Sequence, residues 1–394
     1  MKQAQKSSDR LTRNVPLIKP DLPPFDEVAG LFEQAMVSGR VTNFGANLKQ
    51  FESEAAKFLG RPVATVSSGS MGLLFALQSW GLQRGQKVIL PSFTFMATAQ
   101  AIVQAGGVPL FADINDELTI AVDDLKQLLD QHDDVAAVMP VHMYGLPCHV
   151  DQIKTLVDEY SQKRSRRTGL IYDAAHAFGS AVDDRCVGSF GDAEVFSLSV
   201  TKALSSVEGG MIAADDEAFL DRIRKMRNYG IENNYNAAWP GLNGKMSEFH
   251  AIVGVANLRR LPGVMETREK QAAYYENAIN TRTGFVTIAR PSNITHTFKD
   301  FTILVPEGKS DRRPHIVAFL KERGIETRSY FDPPVHQQDY FRKYTDRPLP
   351  KTDALAARVL TIPFFTTIEQ ADMDYVVDQL VEAENAASSG GATP

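Results

Sequence analysis

The chain has 394 residues, of which 43% are hydrophobic and 23% are charged, and its formal net charge is −6 at pH 7. This length predicts two domains of about 100–200 residues each, and the acidic balance argues against a nucleic-acid partner. The two cysteines, Cys148 and Cys186, exclude a disulfide framework, a cysteine-ligated zinc cluster and an iron–sulfur centre built from one chain.

The first residues of the chain are polar and basic, and they lack the apolar stretch of a secretory signal. No apolar run in the sequence approaches the roughly 20 residues that cross a bilayer. Sparse cysteine usage is typical of a reducing compartment. We therefore expect a cytoplasmic protein without a membrane partner.

Short apolar strands alternate with helical patterns between residues 63 and 214, which predicts a mainly parallel sheet covered by helices on both faces. Helices are expected at SMGLLFALQSW (70–80) and FMATAQAIVQAG (95–106). The last two strands have too short a connection for a crossover helix and can pair antiparallel. The predicted strands are VATVS (63–67), KVILP (87–91), VPLF (108–111), VAAVMPV (135–141), GLIYD (169–173), EVFSL (194–198) and GGMIAA (209–214).

Residues 246–282 predict a long helical region with a kink or break at Pro262 and Gly263. Beyond it, the strand candidate KDFTILV and the helix candidates HIVAFLKERG and MDYVVDQLVEAE predict a smaller α/β domain. The predicted division is an N-terminal segment (1–24), a large domain (25–262), a small C-terminal domain (263–385) and a flexible tail, AASSGGATP (386–394).

The first motif that can carry chemistry is VSSGSMGLL (66–74), a strand followed by a glycine turn and a helix start. The amides of Ser70 and Met71, together with the helix dipole, would form an anion site suited to phosphate. Many such turns bind nothing, so this motif is weak by itself. It is neither a Walker loop nor GxGxxG, which argues against a dinucleotide-dependent oxidoreductase.

Two further motifs follow predicted strands. In PSFTFMATAQAI (91–102), Phe95 could stack on an aromatic cofactor ring, or simply pack in the core. In DAAHAFG (173–179), Asp173 lies at the carboxyl end of a strand, where open α/β sheets place ligand-contacting groups. The same position is typical of a helix N-cap. His176 follows three residues later, where an isolated histidine is more often structural than catalytic.

Lys202 lies in FSLSVTKALSSVEGGMIAA (196–214), a loop rich in small and hydroxyl residues between two apolar strands. A lone lysine is usually a solvated charge. Burial would lower the pKa of this lysine, and a neutral amine is what Schiff-base chemistry requires.

Together these motifs provide an anion site, a stacking aromatic ring, a carboxylate and an amine, each at a predicted strand–loop edge. These are the parts of a pyridoxal 5′-phosphate (PLP) site. Asp173 would keep the pyridine nitrogen protonated, and Lys202 would carry the cofactor and move a proton. The sequence therefore predicts a PLP-dependent enzyme.

These stretches resemble the DegT/DnrJ/EryC1/StrS sugar aminotransferases of PLP fold type I, over about residues 40–385. The resemblance implies an α/β fold, L-glutamate as amino donor, and a homodimer whose active sites are shared across the interface. The motifs that carry it are VTNFGANLKQFE (41–52), SSGSMGLLFAL (67–77), PSFTFMATAQAI, VHMYGLPC (141–148), DAAHAFGS (173–180), GDAEVFSLSVTKALSSVEGGM (191–211), RNYG (227–230) and GLNGKMSE (241–248).

Carried over by position, the resemblance implies that Lys202 binds PLP covalently and that Asp173 contacts the pyridine nitrogen. His176 matches the residue beside the cofactor O3′, which is often Gln in relatives, and Phe95 matches the stacking aromatic. The implied phosphate contacts are Ser70, Met71 and Ser197, with Asn243 reaching the phosphate of the neighbouring subunit and Lys245 close by.

Within the family the chain resembles the enzymes that aminate C4 of a dTDP-4-keto-6-deoxyhexose. ETRSYFDPPVHQ (326–337) places Arg328, Tyr330 or His336 near the sugar nucleotide, or equally in interdomain packing. Two positions depart from the family pattern, because Ser199 and Tyr229 stand where relatives often carry His.

These departures leave regiochemistry open, so the substrate is a nucleotide-linked ketosugar aminated at C4, a dTDP-3-keto sugar aminated at C3, or a keto-cyclitol. A PLP-binding regulatory protein without turnover is the remaining alternative. Retention of Lys202 argues against the branch of the family that carries histidine there and dehydrates at C3.

Overall fold

The computed structural model describes residues 13–345 and 347–389. Within them, no helix combines the length and the hydropathy needed to span a bilayer. The α-helices are α1 Phe25–Ser38, α2 Ala46–Leu59, α3 Gly69–Trp80, α4 Met96–Gln104, α5 Val122–Gln131, α6 Val150–Lys163, α7 Glu217–Met226, α8 Glu248–Arg282, α9 Arg313–Glu322, α10 Pro350–Ala356 and α11 Gln370–Ser389.

The strands follow the same chain order. They are β1 Val63–Val66, β2 Lys87–Pro91, β3 Val108–Ala112, β4 Val135–Val138, β5 Gly169–Asp173, β6 Ala181–Val182, β7 Arg185–Cys186, β8 Ala193–Ser197, β9 Gly210–Ala213, β10 Ile231–Asn233, β11 Asn236–Ala237, β12 Val286–Thr287, β13 Ile294–Thr295, β14 Phe301–Leu304 and β15 Val359–Ile362.

The central sheet has seven strands in the order β1-β9-β8-β5-β4-β2-β3. Neighbours from β3 to β8 pair in parallel, whereas β9 is antiparallel to both β8 and β1. All seven predicted strands belong to this sheet, and the antiparallel pairing of the last two is confirmed. The predicted mainly parallel α/β fold is therefore confirmed.

Burial on both faces explains why these strands are almost continuously apolar. Strands β1, β4, β5 and β9 are buried at every residue. One face carries a core shared with α2, α5, α6 and the first half of α8, and the other carries a core shared with α3, α4 and α7. A strand between two helical layers has no solvent face, so an alternating pattern is absent.

Helix α8 continues through Pro262, so of the predicted kink or break the break is wrong, and the kink stays a prediction. Proline lacks an N–H and removes one helical hydrogen bond. The two halves of the helix are nevertheless anchored in different cores: Ala251 and Val255 lie in the large sheet's core, and Ala272 and Tyr275 lie in the C-terminal core. Packing on both sides holds the helical path that the local sequence disfavours.

The C-terminal part of the chain has its own antiparallel sheet, in the order β12-β14-β15, and its own core with α9 and α11. Val15 lies in that core and forms a parallel bridge with Ile325. The predicted division at 262/263 falls inside α8, and it stays an interpretation.

The beginning of the predicted flexible tail is helical, because α11 extends to Ser389. Ala386 and Ala387 are good helix formers and allow the helix to continue. Residues 390–394 lie outside the described residues.

Substitutions at two glycines of α8 would test how closely this helix packs on α2. A β-carbon at Gly254 would lie 2.7 Å from the ring of Phe51, which is fully buried, whereas one at Gly263 would meet no atom within 4 Å. Alanine is favoured over glycine in both helical positions by about 0.5–1 kcal/mol, but overpacking costs about 1–3 kcal/mol. We predict that Gly254→Ala lowers the thermal midpoint and that Gly263→Ala raises it. Equal midpoints in calorimetry would contradict this packing.

Candidate active site

A cavity of about 330 Å³ lies at the carboxyl ends of β2, β4, β5 and β8. This is the edge at which parallel α/β sheets gather their functional groups. Residues from the C-terminal part of the chain close another part of its wall. The described residues that line it are Ser68, Gly69, Ser70, Leu73, Thr94, Phe95, Ala97, Val141, His142, Met143, Asp173, Ala175, His176, Ser197, Ser199, Thr201, Lys202, Glu208, Lys299, Asp300, Tyr330 and Phe331.

Asp173 ends β5 and is only 5% exposed. The Thr98 hydroxyl donates to one carboxylate oxygen at 2.7 Å, and the Ala175 amide donates to the other at 3.0 Å. Burial raises the pKa of Asp173, while these hydrogen bonds and the nearby Lys202 act against that rise. Residues 174–180 form turns rather than a helix, so the N-cap alternative is wrong.

His142 and Glu194 form a buried pair behind Asp173. The His142 backbone amide donates to the Asp173 carbonyl at 3.0 Å, and the His142 side chain lies 3.4 Å from Glu194. Burial opposes protonation of this imidazole, whereas the Glu194 carboxylate favours it. The Cys148 backbone amide donates to His142 Nδ1 at 3.1 Å, so we infer that the ring proton is on Nε2, which faces Glu194.

Lys202 lies in the turn after β8, where its backbone amide donates to the Ser199 carbonyl at 3.0 Å. Its side chain borders the cavity, and the surrounding protein removes water from the amine. This desolvation, together with the positive charge of Lys299, lowers the pKa of Lys202 to about 7. A large share of the amine is therefore uncharged near neutral pH, which a solvated surface lysine would not be.

His176 is buried beside the same cavity. Burial, with Lys202 and Lys299 acting in the same direction, lowers the pKa of His176 well below its usual value. The ring is neutral near pH 7, and its Nδ1 accepts the Tyr144 backbone amide at 3.2 Å. We infer that the proton is on Nε2, which can then donate a hydrogen bond.

Helix α3 begins at Gly69, one residue before the predicted start, and Ser68 is its N-cap. The Ser68 hydroxyl accepts the Met71 amide at 3.2 Å, and Met71 does not line the cavity, whereas Ser70 does. A β-carbon on Gly69 would lie 2.9 Å from the β-carbon of Ser197. Glycine is therefore required where the helix start approaches β8 so closely.

Phe95 stands at the start of α4 and is 51% exposed, so it is not an ordinary core residue. It borders the cavity, and its ring centre lies 6.0 Å from that of Phe331. An exposed aromatic ring at a cavity wall is available to stack on a planar ligand.

Three of the predicted residues form a separate cluster outside the cavity. The Lys245 amine donates to the Asn243 side-chain oxygen at 2.8 Å and lies 4.9 Å from the centre of the Tyr229 ring. Asn243 and Tyr229 are exposed. The cluster is therefore available to a neighbouring molecule but not to the cavity of its own chain.

The three substrate residues predicted in the C-terminal part of the chain lie in different surroundings. Tyr330 lines the cavity. Arg328 is exposed and pairs with Glu326 at 2.6 Å. His336 is buried between Ser92, at 2.6 Å, and Asp353, at 3.0 Å. His336 is therefore packed between protein groups, which is the alternative to a sugar-nucleotide contact.

Sequence reasoning missed Thr98, His142, Lys299 and Asp300. Thr98 lies in the same motif as Phe95, one helical turn later, but its role needs β5 beside it. Lys299 and Asp300 open the strand candidate KDFTILV, which the sequence indicates only as a structural element, and they precede the observed β14. Two adjacent charges at the start of an apolar strand were the one available signal.

Comparison with known proteins gives one consistent result. Residues 26–381 match the DegT/DnrJ/EryC1/StrS aminotransferase family. The chain is 31% identical to the spore coat polysaccharide biosynthesis protein SpsC of Bacillus subtilis, covering 95% of this chain and 97% of that protein. It is 30% identical to a dTDP-4-amino-4,6-dideoxy-D-glucose transaminase of Shigella dysenteriae, covering 92% and 97%. The crystal structure of DesI with its TDP-sugar product superposes with a TM-score of 0.88 at 31% identity, covering 96% and 95%.

The charge of Lys299 gives a testable effect on Lys202. Lys299→Met removes a cation that lowers the pKa of Lys202 and leaves the Asp300 carboxylate, which raises it, so both effects raise the pKa of Lys202. We predict that the pH at which Lys202 reacts with an aldehyde and borohydride rises by roughly one pH unit. Peptide mass spectrometry would measure modification of Lys202, with the surface variant Lys351→Met as the control. An unchanged pH profile would contradict this coupling.

Proposed function

Since this chain belongs to the DegT/DnrJ/EryC1/StrS aminotransferase family and is an aminotransferase, we propose that it binds PLP through Lys202 and Asp173. We further propose that it transfers the amino group of L-glutamate to the C4 keto group of a dTDP-linked 4-keto-6-deoxyhexose. The observation that carries the proposal is one cavity holding a buried, hydrogen-bonded carboxylate and an amine with a pKa of about 7.

The residues of the cavity fit the cofactor. Asp173 would hold the pyridine N–H, because its two oxygens are already fixed by Thr98 and Ala175. His176 Nε2 would donate to the ring oxygen O3′, and Phe95 would cover the ring. Bound PLP supplies an electron-withdrawing ring that allows a C–H bond next to the transferred nitrogen to lose its proton.

The phosphate would lie at the start of α3, where the first amides of a helix lack intrahelical partners. Ser70 and Ser197 both face the cavity and support this placement. The Met71 amide already donates to Ser68, so a contact from Met71 would require a shared hydrogen bond.

Lys202 has two tasks in this proposal. Its uncharged amine would hold the cofactor covalently, which a protonated lysine cannot do. Nζ would also hold the proton that the substrate carbon loses and deliver it again to complete the transfer. A pKa near the working pH suits both directions of proton movement.

The substrate proposal is supported by relatives rather than by contacts. The Shigella relative is named for a 4-amino sugar, and DesI was crystallised with a TDP-sugar product. The alternative is C3 amination, because another matching relative, from Acidithiobacillus ferrooxidans, is named a UDP-N-acetyl-3-dehydro-alpha-D-glucosamine 3-aminotransferase. Amination of a keto-cyclitol is the third candidate. A regulatory protein without turnover is less supported, since the reactive groups meet in one cavity.

The decisive experiment supplies PLP-loaded protein with L-glutamate and a panel of ketones: dTDP-4-keto-6-deoxyglucose, dTDP-3-keto-6-deoxyglucose and a keto-inositol. We expect amination of the first, with nitrogen on C4 by product NMR. Lys202→Ala should lower turnover by at least roughly 100-fold, whereas Lys351→Ala should not. Nitrogen on C3 would overturn the regiochemistry, and full turnover by Lys202→Ala would overturn the role of this lysine.

We also propose a homodimer in which the cluster of Tyr229, Asn243 and Lys245 contacts the cofactor phosphate of the neighbouring subunit. Asn243 and Tyr229 are exposed and are not among the residues that line the cavity of their own chain, which supports this.

A mixing experiment tests the shared site. Lys202→Ala and Asn243→Ala are each expected to be impaired as homodimers. After denaturation and joint refolding, mixed dimers should contain one site with both residues intact, so activity should recover to roughly a quarter of wild type. No recovery, in a sample that light scattering shows to be dimeric, would contradict a shared site.

A further inference from the structure

Lys299 and Asp300 form a buried ion pair in the cavity wall that the proposed cofactor contacts do not use. Each residue is 5% exposed, and the Lys299 amine donates to one Asp300 oxygen at 2.7 Å. The Lys299 backbone amide donates to the Tyr144 carbonyl at 2.8 Å, which fixes the segment against the large sheet's edge. The pair therefore has a defined position.

The second Asp300 oxygen, Oδ2, is buried and has no hydrogen-bond partner among the described residues. A carboxylate oxygen left in this state is costly, because it has lost its water without gaining a donor. The same residue lines the cavity. Asp300 also borders a smaller cavity, so a ligand in the main cavity would reach this buried oxygen only after the carboxylate turns, and its donor would then remove the cost.

The residues around the pair indicate which ligand would bring this donor, the cofactor or the substrate. The cofactor contacts proposed within one chain all come from residues 70–202, whereas Lys299, Asp300, Tyr330 and Phe331 come from the C-terminal part of the chain. Tyr330 lies beside the pair, with its ring centre 5.5 Å from the Lys299 amine. No cofactor contact is proposed for this part of the wall, so it is available to the substrate.

The charge of the pair distinguishes the two substrates of the reaction. An ionised carboxylate can only accept hydrogen bonds. Its negative charge is balanced by Lys299, so the pair as a whole is neutral and offers an acceptor rather than a cation. A neutral hydroxyl matches this arrangement, whereas the carboxylates of the amino donor would meet Asp300 unfavourably.

We propose that Asp300 is a specificity-determining residue whose free oxygen accepts a hydrogen bond from a ring hydroxyl of the keto substrate, and that Lys299 is the positioning residue that holds it. This rests on the proposed function, since it assumes a polyhydroxylated ketone as amino acceptor. It assigns recognition of the acceptor, and not of the donor, to this pair.

Separate measurement of the two half-reactions tests the assignment. With L-glutamate alone, at a pH well above 7 where the Lys202 amine is uncharged with or without Asp300, the change in cofactor absorbance gives the donor half-reaction, which Asp300→Ala should alter less than about twofold. For the ketone that wild type aminates, we expect kcat/KM to fall by about 10- to 100-fold, the usual effect of losing a hydrogen bond to a charged group. Asp300→Asn keeps the shape and one acceptor oxygen, so its kcat/KM for the ketone should lie between those of wild type and Asp300→Ala.

Substrate analogues provide a readout that a purely structural role would not change. The 2-deoxy and 3-deoxy analogues of the ketone each lack one hydroxyl. For one of them, wild type should lose as much kcat/KM as Asp300→Ala loses with the parent ketone, and Asp300→Ala should lose nothing further. Losses that simply multiply, for both analogues, would overturn the proposal.

Glu276→Gln is the matched control, because Glu276 borders the small cavity behind Asp300 and not the main one. It should leave both half-reactions unchanged. An equal loss in both half-reactions for Asp300→Ala and Asp300→Asn would also overturn the assignment. If wild type aminates no ketone of the panel, the proposed function itself fails, and this inference fails with it; an active wild type with an unaffected Asp300→Ala refutes this inference alone.

Discussion

Removal of water from ionisable groups at the carboxyl edge of the sheet is the constraint on which the site depends. Burial acts in opposite directions on the two central groups: it raises the pKa of Asp173 and lowers that of Lys202. The protein offsets the first effect with hydrogen bonds from Thr98 and Ala175. It strengthens the second with the nearby charge of Lys299. The result is a fixed acceptor and a reactive amine in one cavity.

The parallel sheet brings these groups together. Asp173 ends β5 and Lys202 follows the adjacent β8, while Phe95 and Ser70 begin the helices that follow β2 and β1. Since the parallel strands end at one edge, residues separated by more than 100 positions meet there. The helices on both faces exclude water from the strands and support that edge of the sheet.

The C-terminal part of the chain completes the cavity rather than merely covering it. Helix α8 joins the two cores, so Lys299, Asp300 and Tyr330 are presented to the sheet edge from a second structural unit. The large sheet's edge thus provides the proposed cofactor contacts. The C-terminal part provides a hydrogen-bond acceptor, Asp300 Oδ2, that has no partner among the described residues. Such a division would allow the acceptor substrate to be selected without disturbing the cofactor.

The sequence by itself determined the seven strands and the α/β class, and it predicted that Asp173 and Lys202 lie at one edge of the sheet, because strand burial and the family motifs are properties of short contiguous stretches. It could not determine that α8 passes Pro262 unbroken, because packing in two distant cores overrides local propensity. Nor could it separate Tyr330, which reaches the cavity, from His336, which Ser92 and Asp353 bury elsewhere. The Thr98–Asp173 bond and the free oxygen of Asp300 were likewise decided only by the tertiary structure, since each depends on the distance between residues far apart in the chain.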